Sequence, residues 1–184
     1  QEHYFTGDRD DQISVSALYF DTFIRPYNLG VRLGRMTESS NGVLGRYDGG
    51  SVSWRINDLV RLGAVAGSPV ARRSDEPFKD DKVFYGASVG LTPVKNLELT
   101  FYAIEQRARS LIDRQAIGAD VRYLGNGLSA FATLDYDVHF NEINLALANV
   151  SWTLPSKTVV HAGYDQRKSP FLTSWTALQG QPFL

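Results

Sequence analysis

The sequence has no cysteine, which excludes disulfides, thiolate metal sites and cysteine nucleophiles. Nor has it an excess of basic charge. Its 19 lysines and arginines stand against 20 acidic residues, for a formal net charge of -1. Binding through phosphate neutralisation needs such an excess, so no nucleic-acid partner is expected. An uninterrupted apolar run of about 18 residues, the length a transmembrane helix requires, is also missing. The charge-free stretch Ile143 to Ser156 is too short and is broken by Asn144, Asn149, Ser151, Thr153 and Pro155. The only histidines, His3, His139 and His161, show no metal-binding spacing, and no metal or cofactor is expected.

What the sequence does have is alternation. Leu29, Val31 and Leu33 alternate with Gly30, Arg32 and Gly34, and Val52, Trp54 and Ile56 with Ser53 and Arg55. The same period of two runs through Val60 to Ala64, Val83 to Leu91, Leu97 to Ala103, Ile117 to Tyr123, Leu128 to Tyr136 and Val160 to Tyr164. Ile143, Leu145 and Leu147 begin a further strand whose phase slips near Asn149, as a bulge would make it do. With a less regular opening strand over Ile13 to Phe23, the pattern predicts about ten strands.

The connections alternate too. Turn residues mark short links at Arg25-Pro26, Asn57-Asp58, Pro93 to Asn96, Leu124 to Gly127 and Pro155 to Lys157. Asn126-Gly127 is the strongest hairpin dipeptide among them. Between these lie longer connections at Thr37 to Gly50, Ser68 to Asp81 and Arg107 to Asp113, with His139 to Glu142 a short exception. Tight turns at one end and longer loops at the other predict an up-and-down antiparallel transmembrane β-barrel of the outer-membrane type, residues 1–184 forming one domain. The mean hydropathy of -0.23 and the 21% of charged residues suit such a barrel, because every second strand residue faces an aqueous lumen. A soluble lipocalin-like barrel is the structural rival. Trp54, Tyr85, Tyr123, Tyr136, Trp152 and Tyr164 belong to the apolar set, and several stand near strand ends, where the aromatic girdles of a membrane barrel sit.

On that reading the polar face lines the lumen, and its candidate residues are Arg32, Arg55, Arg61, Glu98, Asp120, Arg122, Asp135, Asp137, His139, Asp165 and Arg167. Asp135, Asp137 and His139 would share one strand face at period two. Parallel side chains of one strand seldom converge on a metal, so they are read as lumen polarity. The glycine-rich segment Gly42 to Gly50 lacks the Gly-Lys-Ser/Thr ending of a phosphate loop. It is read as a polar connection folded into the lumen, with Arg46 and Asp48 as candidate constriction residues. Phe171, Leu172, Trp175 and Leu178 have helical spacing within Ser169 to Gln181, which fits a short helix lining the pore or lying at an interface. No nucleophile and base come together: Ser129 and His139 are too far apart along one strand.

Several stretches carry a family likeness. They are Gly42 to Gly49, Asp113 to Asp120, Leu134 to Asp137, Trp152 to Pro155, Asp165 to Pro170 and Ala177 to Gln181. Together they resemble the barrel region of proteobacterial outer-membrane proteins, which often carry tetratricopeptide repeats ahead of the barrel; no such repeat is present in this sequence. The resemblance implies an outer-membrane location, a bilayer as partner, and a wall continuing beyond Leu184 with periplasmic or barrel-completing segments. By analogy it suggests export of a polymer such as an exopolysaccharide. The functional expectation is therefore a pore or export conduit with a mixed-charge lumen. The alternatives are a structural anchor or assembly subunit without transport and, third, an outer-membrane enzyme.

Overall fold

A computed structural model describes residues 16–38, 41–43, 45–70, 82–109 and 111–168. They form a single ten-stranded antiparallel sheet whose strands lie in chain order. The strands are β1 (Leu18–Ile24), β2 (Leu29–Glu38), β3 (Gly45–Arg55), β4 (Val60–Pro69), β5 (Lys82–Val94), β6 (Leu97–Ala108), β7 (Leu111–Gly125), β8 (Leu128–Asp137), β9 (Glu142–Thr153) and β10 (Val159–Arg167). A single turn of 3-10 helix, Arg25–Tyr27, links β1 to β2. The all-β, up-and-down architecture and the strand number agree with the sequence reading. Among the described residues the ladder ends at β1 and β10, which do not pair with each other, so the sheet is open.

Asparagine shapes the turns. Asn28, Asn41, Asn96, Asn126 and Asn141 all adopt positive φ, a conformation that asparagine tolerates better than most residues because its short amide can bond locally. Asn126 and Gly127 are left-handed together, with φ of 52° and 74°. That is the backbone of a type I′ turn, whose twist matches the flanking strands.

Because consecutive hairpins alternate ends, the links β1–β2, β3–β4, β5–β6, β7–β8 and β9–β10 share one end of the sheet, here the short-turn end. The four remaining links share the opposite, loop end. Two loops are shorter than the sequence suggested. β2 runs on to Glu38 and β3 starts at Gly45, while β6 and β7 leave only residues 109–110 between them. Backbone pairing extends into Thr37–Gly50 and Arg107–Asp113 because hydrogen bonding of a ladder does not depend on the apolar pattern that marks a buried face. The opening strand begins at Leu18, so Ile13 falls outside the described residues, as does the helix expected over Ser169 to Gln181.

The bulge of β9 lies at Asn144, not near Asn149. Tyr136 pairs with Ile143 and Asp135 with Leu145, leaving Asn144 as the extra residue. Leu145 and Leu147 therefore share the face of Asp135 and Thr133, while Ala146, Ala148, Val150 and Trp152 continue the apolar face. The amide of Asn144 reaches Asp135 Oδ1 and Asp137 Oδ2, both at 3.4 Å, so a polar contact sets the slip that hydrophobic phase alone misplaced.

The sheet curls toward its polar face. Asp21 of β1 and Glu98 and Thr100 of β6 line one cavity of about 370 Å³. In a flat sheet, strands five places apart would be separated by about 24 Å. The opposite, convex face carries the apolar set and is open: Trp54 is 48% exposed, Phe101 51%, Ile117 52% and Trp152 49%. Close approach on the concave side needs glycine at Gly118. A Cβ there would collide with the Tyr102 hydroxyl and the Leu134 carbonyl, and Tyr102 is held in place by its bond to Asp135. Gly118→Ala should therefore cost about 1–3 kcal/mol through overpacking. Gly90→Ala, whose Cβ would meet nothing nearer than 3.5 Å, should stay within about 0.5 kcal/mol. Denaturant unfolding in detergent micelles measures both, and equal stability of the two variants would contradict the packing described.

Candidate functional site

The concave face is built from the polar half of each alternation. Arg32, Arg55, Arg61, Glu98, Asp120, Arg122, Asp135, Asp137, Asp165 and Arg167 all lie on it by register. Charge is arranged along it in pairs. Arg32 donates to Asp21 at 2.6 Å and sits 5.2 Å from the centroid of the Tyr19 ring. Arg122 and Glu98 stand 3.9 Å apart, and Arg167 pairs with Asp165 along the edge strand. Arg55 and Arg61 are directly opposite across the β3–β4 ladder, at the short-turn end, and among the described residues neither is ion-paired. Like charges so placed repel, and Asp58 and Glu98 line the same depression as the two arginines.

The densest part lies at the loop end. Asp135 is fully buried and accepts hydrogen bonds from Arg114 at 2.6 Å and from the Tyr102 hydroxyl at 2.9 Å. Asp137, also fully buried, accepts from the backbone N–H groups of His139 and Phe140 at 2.8 and 3.1 Å, closing the β8–β9 turn. Asp113 accepts from Lys82 at 3.1 Å and from Gln106 at 2.6 Å. Thr133 donates to Asp120 at 2.8 Å. Such burial is tolerable because each carboxylate has donors aimed at it.

Onto this cluster folds the β2–β3 connection. Arg114 Nη1 donates to the Gly42 carbonyl at 2.9 Å, and the Asn41 backbone N–H reaches Asp120 at 3.5 Å. Gly42 lies against the Tyr102 ring. Val43 joins Met36, Tyr47, Val65, Phe84, Ile104 and Ala116 in a small apolar core, in which Tyr47 meets Phe84 edge-on with centroids 5.2 Å apart. The connection is thus pinned across the concave face by one polar and one apolar contact set.

Two of the expected site residues are placed differently. His139 is not on the strand face of Asp135 and Asp137: β8 ends at Asp137, and the exposed His139 lies in the following turn, 4.9 Å from the Phe140 ring. Asp48 alternates in phase with Gly50, Val52 and Trp54, not with Tyr47, and forms a buried bidentate pair with Arg35 at 2.7 and 2.8 Å. Arg46 does stand at the infolded connection, where it lines a depression with Gly42, Phe84 and Arg114. Its Nε is buried without a hydrogen-bond partner.

Arg114, Tyr102 and Asn144 were missed by the sequence reading. Counting back by twos from Asp120 through Gly118 and Ala116 reaches Arg114, so its face was legible once β7 was extended into the presumed loop. Tyr102 shares the phase of Glu98 and Thr100, so its face was legible although nothing marked it as a site residue; Asn144 carried no such signal, because the bulge that places it is set by the neighbouring strand. The chain matches no protein-family model, no curated protein and no solved structure.

The cluster sets a sharp contrast between two carboxylates. Asp135→Asn would leave the buried Arg114 guanidinium without its counter-charge and should destabilise the fold by about 3–5 kcal/mol. Glu98→Gln, at an exposed pair, should cost less than about 1 kcal/mol. Denaturation midpoints in micelles distinguish them, and a tolerated Asp135→Asn would show that the cluster does not anchor the loop end.

Proposed function

We propose that this chain forms part of the wall of an outer-membrane pore or export conduit. Its convex face would meet lipid, its concave face water, and the β2–β3 connection would narrow the passage. The observation that carries the reading is an inversion of polarity. Fully buried side chains include Asp113, Asp135, Asp137 and Asn144, while Leu33, Phe101, Ile117 and Trp152 are half exposed or nearly so. A protein dissolved in water seldom presents a contiguous apolar face of that extent; in a bilayer the face is satisfied.

Three further features support it. Nine of the ten strands have 9 to 15 residues, in keeping with the roughly 9–11 that a tilted membrane-spanning strand needs. Trp54, Tyr123 and Trp152 lie toward the short-turn end of the apolar face, and Tyr85 and Tyr136 toward the loop end, with Tyr164 near mid-strand. That spacing fits belts at two interfaces. The resemblance to barrel regions of proteobacterial outer-membrane proteins points the same way. Ladder edges at β1 and β10, free among the described residues, would be costly in lipid, so further strands are proposed to pair with both and complete the wall. A structural anchor is the second reading, favoured by the packing of Val43, Tyr47 and Phe84 at the loop end, which a plugged barrel would also show.

The absence of cysteine makes the test direct. Discrete conductance steps are expected from the chain, with its completing segments, in planar bilayers. Reaction of Ser53→Cys on the concave face with a charged, membrane-impermeant thiol reagent should reduce the current, and reaction at Val52→Cys on the convex face should not. Absence of conductance would favour the anchor, and equal effects at both positions would refute the assigned faces.

A further inference from the structure

We infer that the hollow on the convex face above Ala87 and Ala103 is a seat for one phospholipid, with its phosphate on Arg107 and one acyl chain laid along the apolar floor. The floor follows from the register. Ala87 of β5 pairs with Ala103 of β6, which pairs with Ile117 of β7. Two residues nearer the loop end comes the next row of the same face, Tyr85, Glu105 and Gln115. Two methyl groups set among larger side chains leave a hollow of about 560 Å³, with Ile117 and Val138 along its far side. Tyr85, Ile117 and Val138 are each about half exposed, so among the described residues nothing covers it.

What makes the hollow specific is its rim. Among the described strand residues, charge on the convex face is confined to the loop end: Arg35 with Asp48, Arg46, and Glu105 with Arg107. Glu105 accepts from the Tyr85 hydroxyl at 2.5 Å, from Arg107 Nε at 2.6 Å and from Gln115 Nε2 at 3.2 Å. These three donors leave its side chain 17% exposed, against 45% for Arg107. The pair is neutral in sum, but its two halves are not presented alike. The carboxylate is enclosed and holds Arg107 through Nε, while the two Nη groups make no hydrogen bond among the described residues. An oriented guanidinium with its fork free suits a phosphate. Among the described residues no other carboxylate faces the hollow. From β5, β7 and β8 it receives Tyr85, Ala87, Gln115, Ile117 and Val138, while Asp113 bonds with Lys82 and Gln106 on the concave side. Arg109, exposed in the turn after β6, adds positive charge to that end of the ladder. A free phosphate would need no hydrocarbon floor, and a hydrocarbon chain no guanidinium. The two side by side, at the level of the Tyr85 belt, match the order of a lipid across the interface.

The seat rests on the reading that the convex face meets lipid, and it is tested apart from conductance, by native mass spectrometry of the detergent-solubilised chain with its completing segments. Phosphatidylglycerol and phosphatidylethanolamine are the probes. Diacylglycerol with the same chains lacks the phosphate, and glycerol phosphate lacks the chains. At least one of the phospholipids should stay bound to the folded parent at one per chain, and neither partial molecule should. Arg107→Gln should lower retention by about tenfold, the loss expected for a charge-assisted contact. Arg107→Lys, which keeps the charge without the fork, should fall between the two. Ala103→Phe, which fills the floor, should lower retention as well. Arg61→Gln removes the same charge from the concave face and should bind like the parent. Heat-modifiable migration on gels checks that each variant is folded. No phospholipid on the folded parent, equal retention of diacylglycerol or glycerol phosphate, undiminished retention by Arg107→Gln, or equal loss in Arg61→Gln would overturn the seat. So would a dimer that excludes lipid, which would give the hollow to a second copy of the chain. A chain that conducts but keeps no phospholipid would refute the seat alone, and one that keeps it through Arg107 but does not conduct would refute the conduit alone.

Discussion

The buried Arg114–Asp135 ion pair is the contact on which the rest of the concave face depends. Asp135 comes from β8 and Arg114 from β7, while Tyr102 of β6 and Asn144 of β9 close on the same carboxylate. Four consecutive strands are thereby tied on their polar side. The remaining arm of Arg114 holds Gly42, which brings the β2–β3 connection across to a wall four strands away. Removing either charge strands the other in a site with little solvent, which is why such a pair constrains geometry even where it adds little net stability.

That constraint and the alternation of the strands act together. Period two places hydrocarbon on one side and charge on the other, but it does not say which side is concave. The polar contacts do. The contacts of Gly42 with Arg114 and of Asn41 with Asp120, which join the β2–β3 connection to β7, form only if the sheet bends toward them, and the small core around Val43 and Tyr47 fills the space between the folded connection and the strands. The convex side consequently keeps its leucines, valines and aromatic residues uncovered. The proposed function rests on this arrangement at the level of a surface, with one face apolar and the other polar and charged.

Strand number, order and turn positions were legible in the sequence because they rest on local signals: the two-residue period and the asparagine, glycine and proline of the turns. Most of the charged concave residues were legible for the same reason, since Arg55, Arg61, Asp120 and Asp135 each stand out against apolar neighbours. The site's organisation was not. The Asn144 bulge, the displacement of His139 into a turn and the pairing of Asp48 with Arg35 each depend on a hydrogen bond or register set by another strand, and alternation within one strand carries no trace of it. The infolding of Gly42 was expected from composition alone; its anchor, Arg114, falls between the expected Arg107 to Asp113 connection and the first alternating residue, Ile117, where no local signal marks it.

Tryptophan fluorescence tests the central claim, that the convex face meets lipid, most directly. Trp54 and Trp152 both lie on that face and near the short-turn end. In a Trp175→Phe background they are the only indole reporters, since the sequence has three tryptophans. Reconstituted into vesicles whose acyl chains are brominated close to the headgroup, the protein should show strong quenching and little response to aqueous iodide. Quenching by iodide with none by the brominated lipid, or a fully folded chain in buffer without detergent, would contradict the account.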